Sequence, residues 1–285
     1  MALGLVLEGG GMRGLFTAGV LDELMEQGLD YSFQGAVGVS AGACFGVNMK
    51  SGQQGRALRY NIKMYRNPNY ISVRSLLTTG NLINADFCYH VVPTQIDVFD
   101  GEAFARHPMK FHLVCTDCLT GQPIYHEIDH VDYDVLEWIR ASASLPMVSR
   151  PVELDGHTML DGGISDSIPL RYFQQQGYDR NIVILTQPLG YRKKPYGALW
   201  LTKLLLRRYP KVVECMKHRH EMYNAQLDYV MEQAKAGNTL IIAPPETLPI
   251  GRVEQNPEKL RLVTRLGREA CLKQLDEIKD FLSQR

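Results

Sequence analysis

Ser40 stands in the segment Gly38-Val39-Ser40-Ala41-Gly42. This is the spacing of a nucleophile elbow, a strand-to-helix turn so tight that the residues two places either side of the serine must be small. Gly38 and Gly42 meet that need, and Ala41 and Ala43 keep the approach to the hydroxyl open. A serine held this way projects its oxygen at a helix start, where it can attack an acyl carbon once a base takes its proton. The pentapeptide alone is a weak signal, because glycine and serine are common turn residues. It gains weight from a preceding strand, a following helix and nearby donors for an oxyanion.

Such donors are available in Gly9-Gly10-Gly11-Met12-Arg13-Gly14. Consecutive glycines bare their backbone N–H groups next to a helix N-terminus whose dipole favours negative charge. Gly9, Gly10, Gly11 and Met12 are the expected oxyanion-hole residues. Arg13 is expected either to meet an anionic substrate head group or to be a helix-surface cation. The same residues satisfy G-x-G-x-x-G, so a dinucleotide-binding oxidoreductase is the competing reading. That fingerprint requires an acidic residue at the C-terminal end of the second strand. Asp30 has about the right spacing but precedes that strand, whose C-terminal end carries Ser40 instead.

Eight histidines could serve as the base: His90, His107, His112, His126, His130, His157, His218 and His220. None lies in a loop with a catalytic signature, and His112, His126 and His157 fall in or beside predicted strands. A Ser-His-Asp triad is open but has no named histidine. Asp161, in Leu160-Asp161-Gly162-Gly163, is the better candidate. Its two glycines allow a sharp turn that leaves the carboxylate exposed to a neighbour, although a turn aspartate bonding its own backbone looks the same in sequence.

The elements that must position these residues follow from periodicity. Strands are predicted at 3–7, 33–39, 110–116, 123–127, 152–154, 157–160, 181–186 and 239–243, with Asp155-Gly156 as a two-residue hairpin turn. Helices are predicted at 15–27, 41–49, 54–65 and 133–143, and helical patterning dominates 198–236 and 257–285. Strands alternating with helices imply an α/β sheet flanked by helices, with a mostly helical C-terminal extension.

The chain has 285 residues, 45% of them hydrophobic, ample for a large core. Lys plus Arg equals Asp plus Glu at 31 each, which argues against a nucleic-acid binder. The opening residues lack the pattern of a signal peptide, and no apolar run reaches the roughly 18 residues of a membrane span. The six cysteines are scattered, so a cytoplasmic protein with free thiols is expected. Cys115-Thr116-Asp117-Cys118 precedes a hairpin rather than a helix, so it reads as two ordinary thiols, with Asp117 structural.

Three motifs in order, Gly9 to Gly14, Gly38 to Gly42 and Asp161-Gly162-Gly163, resemble the patatin-like phospholipase family. Asp117 in Thr116-Asp117-Cys118-Leu119-Thr120-Gly121 and the run Ala141-Ser142-Ala143-Ser144-Leu145-Pro146 also look like stretches of that family. Ser167, two before Pro169, is a small departure, since many relatives have asparagine there. The resemblance covers about residues 5–174 and implies a three-layer patatin-like sheet as catalytic domain, with 175–285 packed on it. It further implies a Ser40–Asp161 dyad without histidine, a phospholipid or other acyl ester as substrate, and no metal or cofactor.

Charge is uneven along the chain. Residues 191–219 hold nine basic residues against Glu214 alone, about +8, leaving about −8 elsewhere. Within them, Trp200 and several leucines alternate with cations, so this stretch is expected either to make peripheral contact with an anionic membrane or to be a core-packed helix with a basic rim. A catalytically silent lipid-binding protein is the third reading.

Overall fold

The computed structural model describes residues 2–284; Met1, and Arg285 at the end of the predicted C-terminal helix, lie outside them. Strand β1 (Leu3–Leu7) is buried throughout, as a strand of a parallel sheet covered on both faces must be. A 3-10 turn, Gly11–Arg13, leads into helix α1 (Gly14–Glu26), and the chain returns in β2 (Gly35–Val39), also buried throughout. Then come α2 (Ala41–Lys50), α3 (Arg56–Lys63), α4 (Val73–Thr79), a π-helical segment Phe87–Ile96 and α5 (Gly101–Arg106). The middle of the chain forms β3 (Lys110–Asp117), β4 (Pro123–Ile128), α6 (Tyr133–Ser142), β5 (Val152–Leu154), β6 (His157–Asp161), α7 (Leu170–Gln175) and β7 (Arg180–Ile184). The remainder forms α8 (Leu199–Leu205), α9 (Pro210–Lys235), β8 (Thr239–Ile242), α10 (Pro257–Lys273) and α11 (Leu275–Ser283).

These strands make one eight-stranded mixed sheet in the order β5-β6-β3-β2-β1-β7-β8, with β4 also on β3. Alternate residues of each strand face opposite sides. Leu5, Leu7, Ile182 and Ile184 meet α1, α2 and α10 on one face. Val6, Val37, Val183 and the α9 residues Tyr223, Leu227 and Val230 build the core on the other. The result is three layers, helix on sheet on helix.

One register fixes the site. β3 pairs in parallel with β2 up to Val39 opposite Val114, and antiparallel with β6 from Asp161 opposite Cys115. β4 occupies the other edge of β3 through Thr116, so β2 and β6 share a single edge and meet end to end. The last residue of β6 therefore lies beside the residue that follows β2.

The sequence pattern and the fold differ in two stretches. Helical patterning through 198–236 predicts continuity, but α8 stops at Leu205 and α9 starts at Pro210, because proline has no N–H to continue a helix and is suited to its first turn. Residues 70–109, without a predicted element, hold two short helices with side-chain caps and the π-helical segment; Ser72 and Asp100 accept from Ser75 N and Ala103 N.

Candidate active site

Ser40 occupies the turn between β2 and α2 with φ 55° and ψ −120°, a conformation that costs a non-glycine residue on the order of 1–3 kcal/mol. Neighbouring glycines make the turn possible. A Cβ at Gly42 would lie 2.4 Å from Leu7 O, and one at Gly38 would lie 2.6 Å from Ala43 Cα. The distortion is held by Ser142 at the end of α6, whose Oγ accepts from Ser40 N (3.0 Å) and donates to Val114 O (2.7 Å). Two residues on, Ser144 O accepts from Asp161 N (2.8 Å). One short segment thus anchors the backbone of both Ser40 and Asp161.

Asp161 is 1% exposed and Ser40 8%. The Asp161 Oδ1 accepts from Gly163 N (2.8 Å), while Oδ2 is buried with no hydrogen-bond partner. The Ser40 hydroxyl is near enough to favour the ionised carboxylate, although Oδ2 forms no hydrogen bond with it. Burial pushes the Asp161 carboxyl above the ordinary aspartate range; Arg219, then Ser40 and Gly163 N, oppose it. Gly162 lets the chain turn against β3, since a Cβ there would lie 2.1 Å from Val114 O.

The glycine loop wraps the same spot. Gly9 packs so closely that a Cβ would be 2.9 Å from Ser40 Cβ, and a Cβ at Gly14 would be 2.7 Å from Ala41 Cβ. Gly11 adopts φ 58° with Arg252 O closing in behind it. Met12 departs from the expected donor set: its N–H donates to Arg252 O (3.0 Å) and is not free for an oxyanion. No acceptor among the described residues takes the N–H of Gly10 or Gly11. The Arg13 Nε is buried without a partner and faces the recess beside Ser40, so Arg13 is not a plain surface cation.

Two cavities meet at Ser40. An apolar one of about 160 Å³ is lined by Ala41, Phe45, Tyr89, Val92, Ile139 and Val148 among others. A polar one of about 30 Å³ is lined by Glu8, Arg13, Asp161, Lys193, Arg219 and Arg252 among others. No histidine lines either cavity. Glu8, at the end of β1, accepts from Thr186 N (2.6 Å) and Tyr223 OH (2.8 Å), and burial raises its pKa. Glu8, Lys193, Arg219 and Arg252 carry no motif visible in sequence; they reach the site only through tertiary packing.

The remaining sequence expectations also have definite places. Asp117 Oδ1 accepts from Leu119 N, Thr120 N and Thr120 Oγ1, fastening the β3–β4 turn. Cys115 and Cys118 are buried free thiols. Ser167 Oγ donates to Gly163 O (2.8 Å), a turn contact. Asp30 lies in a 3-10 turn before β2. No cluster of His, Cys, Asp or Glu suited to a metal occurs among the described residues, and no helix among them is long and apolar enough to cross a membrane.

The α/β sheet thus brings a strained serine turn, a buried aspartate and an apolar cavity together at one point. Residues 5–173 match the family model for patatin-like phospholipase, and residues 209–283 match a domain of unknown function (DUF6363). The chain belongs to the patatin-like phospholipase family. It is 29% identical to the uncharacterized protein YjjU of Escherichia coli over 272 residues, 93% of this chain and 75% of that one. It is 32% identical to an uncharacterized NTE family protein of Mycobacterium tuberculosis, over 59% of this chain and 27% of that protein. It is 27% identical to lysophospholipase nte1 of Aspergillus fumigatus, over 62% of this chain and 11% of that protein. Among solved structures, VipD from Legionella pneumophila is similar with a TM-score of 0.49 at 12% identity, over 97% of this chain and 67% of that one.

Proposed function

We propose that this chain hydrolyses acyl esters of lipids, in the manner of a phospholipase A or lysophospholipase, with Ser40 as nucleophile and Asp161 as base. The observation supporting this reading is the β3 register that brings the ends of β2 and β6 together. In the first half of the cycle, Ser40 Oγ bonds to the ester carbonyl carbon as Asp161 Oδ2 takes its proton. The carbonyl oxygen becomes an oxyanion facing the N–H groups of Gly10 and Gly11, in the loop that begins at Gly9. Each such donor contributes about 3–4 kcal/mol to the transition state. The C–O bond to the alcohol then breaks, and Asp161 returns the proton to the leaving oxygen. Water then attacks the acyl carbon as Asp161 takes its proton, the C–Oγ bond breaks to release the acid, and Asp161 returns the proton to Ser40 Oγ.

A free aspartate, with a pKa of about 3.9, is a weak base for a serine. Burial makes Asp161 more basic, and its unpartnered Oδ2 is the atom to which the proton passes. The apolar cavity is suited to the acyl chain. In this reading residues 5–174 are the catalytic domain, and 175–285 add strands and helices to it. The dinucleotide reading is disfavoured because Ser40, not an acid, follows β2. Turnover of a short-chain nitrophenyl ester tests the dyad. Wild type should be active, with Ser40→Ala and Asp161→Asn reduced at least a hundredfold; undiminished rates in either variant would contradict it.

A second proposal rests on α8, where Trp200 is 70%, Leu204 62% and Leu205 54% exposed, beside Lys203, Arg207 and Arg208. Large apolar side chains facing water amid cations suit peripheral contact with an anionic bilayer. Sedimentation with phosphatidylglycerol vesicles should carry down wild type and leave Trp200→Ser/Leu204→Ser in solution; equal sedimentation of both would overturn the contact.

A further inference from the structure

The polar recess beside Ser40 brings four cations together from four places in the chain. Arg13 follows the glycine loop, Lys193 lies between β7 and α8, Arg219 is on α9, and Arg252 lies between β8 and α10. Two neighbours in sequence are paired instead, Arg192 with Asp228 and Lys217 with Glu214. None of the four forms an ion pair among the described residues. The two acids in the recess are engaged otherwise, Glu8 by Thr186 and Tyr223 and Asp161 by Gly163 N. With all six groups ionised, four cations against two acids give the recess a formal charge of +2.

Several contacts hold these cations in place. Arg219 Nε donates to Gly163 O. Lys193 is clamped to α9 through Asn224, which accepts from its N–H (2.9 Å) and donates to its carbonyl (3.1 Å). Its Nζ lies 4.2 Å from the Tyr223 ring centroid. Arg252 is anchored by its carbonyl, which accepts from Met12 N. Arg13 Nε is buried without a partner. Gathering unpaired cations in a partly desolvated recess is costly, and one consequence is that Lys193 is pushed down to about 7 by burial and then by Arg219. An incoming anion with several acceptor oxygens would relieve that cost, and guanidinium groups match phosphate with paired hydrogen bonds.

We infer that this recess is a binding subsite for the phosphate of a glycerophospho head group, built from Lys193, Arg219 and Arg252 together with Arg13. It adjoins the apolar cavity at Ser40, and the two share Gly11, Ser40, Leu145 and Arg252. Its lining of charged side chains is too polar for an acyl chain, in contrast to the apolar cavity beside it. The substrate class is then an acyl ester whose phosphate lies a few bonds from the scissile carbonyl, as in a lysophospholipid. The head-group selectivity is contributed largely by residues beyond the part matched to the patatin-like model, with Arg219 and Arg252 inside the segment matched to a domain of unknown function.

This inference extends the proposed lipid hydrolysis, and its test is kept independent of turnover. Glycerol 3-phosphate, inorganic phosphate and a monomeric lysophosphatidic acid are titrated calorimetrically into the Ser40→Ala protein. The same ligands are titrated into that protein carrying Lys193→Gln or Arg252→Gln, with Lys193→Arg as the charge-preserving control and thermal melting to verify the fold. The expected result is binding in the order lysophosphatidic acid, glycerol 3-phosphate, inorganic phosphate. Each neutral variant should weaken it at least tenfold, and Lys193→Arg should retain it. No binding of glycerol 3-phosphate, or equal binding by folded neutral variants, would overturn the subsite. Inorganic phosphate binding as tightly as lysophosphatidic acid would overturn the lipid assignment. Failure of the hydrolase reading would show separately, as wild type inert toward every ester while the binding results stand.

Discussion

Ser142 Oγ accepts the backbone N–H of Ser40 at 3.0 Å, a bond between residues 102 positions apart. It holds the proposed nucleophile in its unfavourable backbone conformation, and its own proton goes to Val114 O on β3. Ser142→Ala leaves both buried groups without that partner, which costs about 1–3 kcal/mol. We predict a stability loss of that size in denaturant titration and at least a tenfold lower kcat on a nitrophenyl ester. The pH profile should keep its shape, because Ser142 orients the site and exchanges no proton. Full activity with an intact fold would show that the bond does not position Ser40.

The turn itself is under strain. With φ at 55° and ψ at −120°, position 40 is better suited to glycine than to any residue with a Cβ. Ser40→Gly should therefore be more stable than Ser40→Ala by about 1 kcal/mol, with both inactive. Equal unfolding midpoints for the two variants would mean that the elbow stores no strain.

Arg219 is the largest influence holding the Asp161 pKa down against burial. Asp161 must be ionised to act as a base, so activity is lost as pH falls through its pKa. Arg219→Gln removes the opposing charge and should move this acid limb of kcat/KM to higher pH. An unmoved limb would indicate that Arg219 and Asp161 are not coupled.

Lys193, pushed down to about 7, faces Arg13, Arg219, Arg252, Glu8, Tyr191 and Tyr223. A bound anion favours its protonated form, so binding above pH 7 must take up a proton. Affinity for a glycerophosphodiester, whose own charge is constant in this range, should fall as pH rises through about 7. Calorimetry at pH 8 in two buffers of different ionisation enthalpy should detect proton uptake in wild type and none in Lys193→Gln. Equal observed heats in the two buffers for wild type would contradict this linkage.

Sequence and structure agree where local constraints are strong. The elbow around Ser40 and the turn at Asp161 are legible because tight backbone turns demand small residues at fixed spacings, and β1, β2 and the Asp155-Gly156 hairpin follow from short-range pattern. Lys193, Arg219 and Arg252 are not legible. Arg219 is one cation among many in a basic stretch, and only the packing of α9 on the sheet turns it toward Gly163. Met12 had the right position for an oxyanion donor, but its N–H is taken by a carbonyl 240 positions away. The π-helical segment Phe87–Ile96 contains Pro93 and lacks a 3.6-residue pattern, so periodicity does not find it.

Ser40, as the proposed nucleophile, is open to direct chemical trapping. Labelling with a fluorophosphonate, followed by peptide mapping, tests this role most directly. One adduct on Ser40, absent from Ser40→Ala and strongly slowed in Asp161→Asn, is the predicted result. No labelling of the folded wild type, or an adduct on another serine that persists in Ser40→Ala, would contradict it.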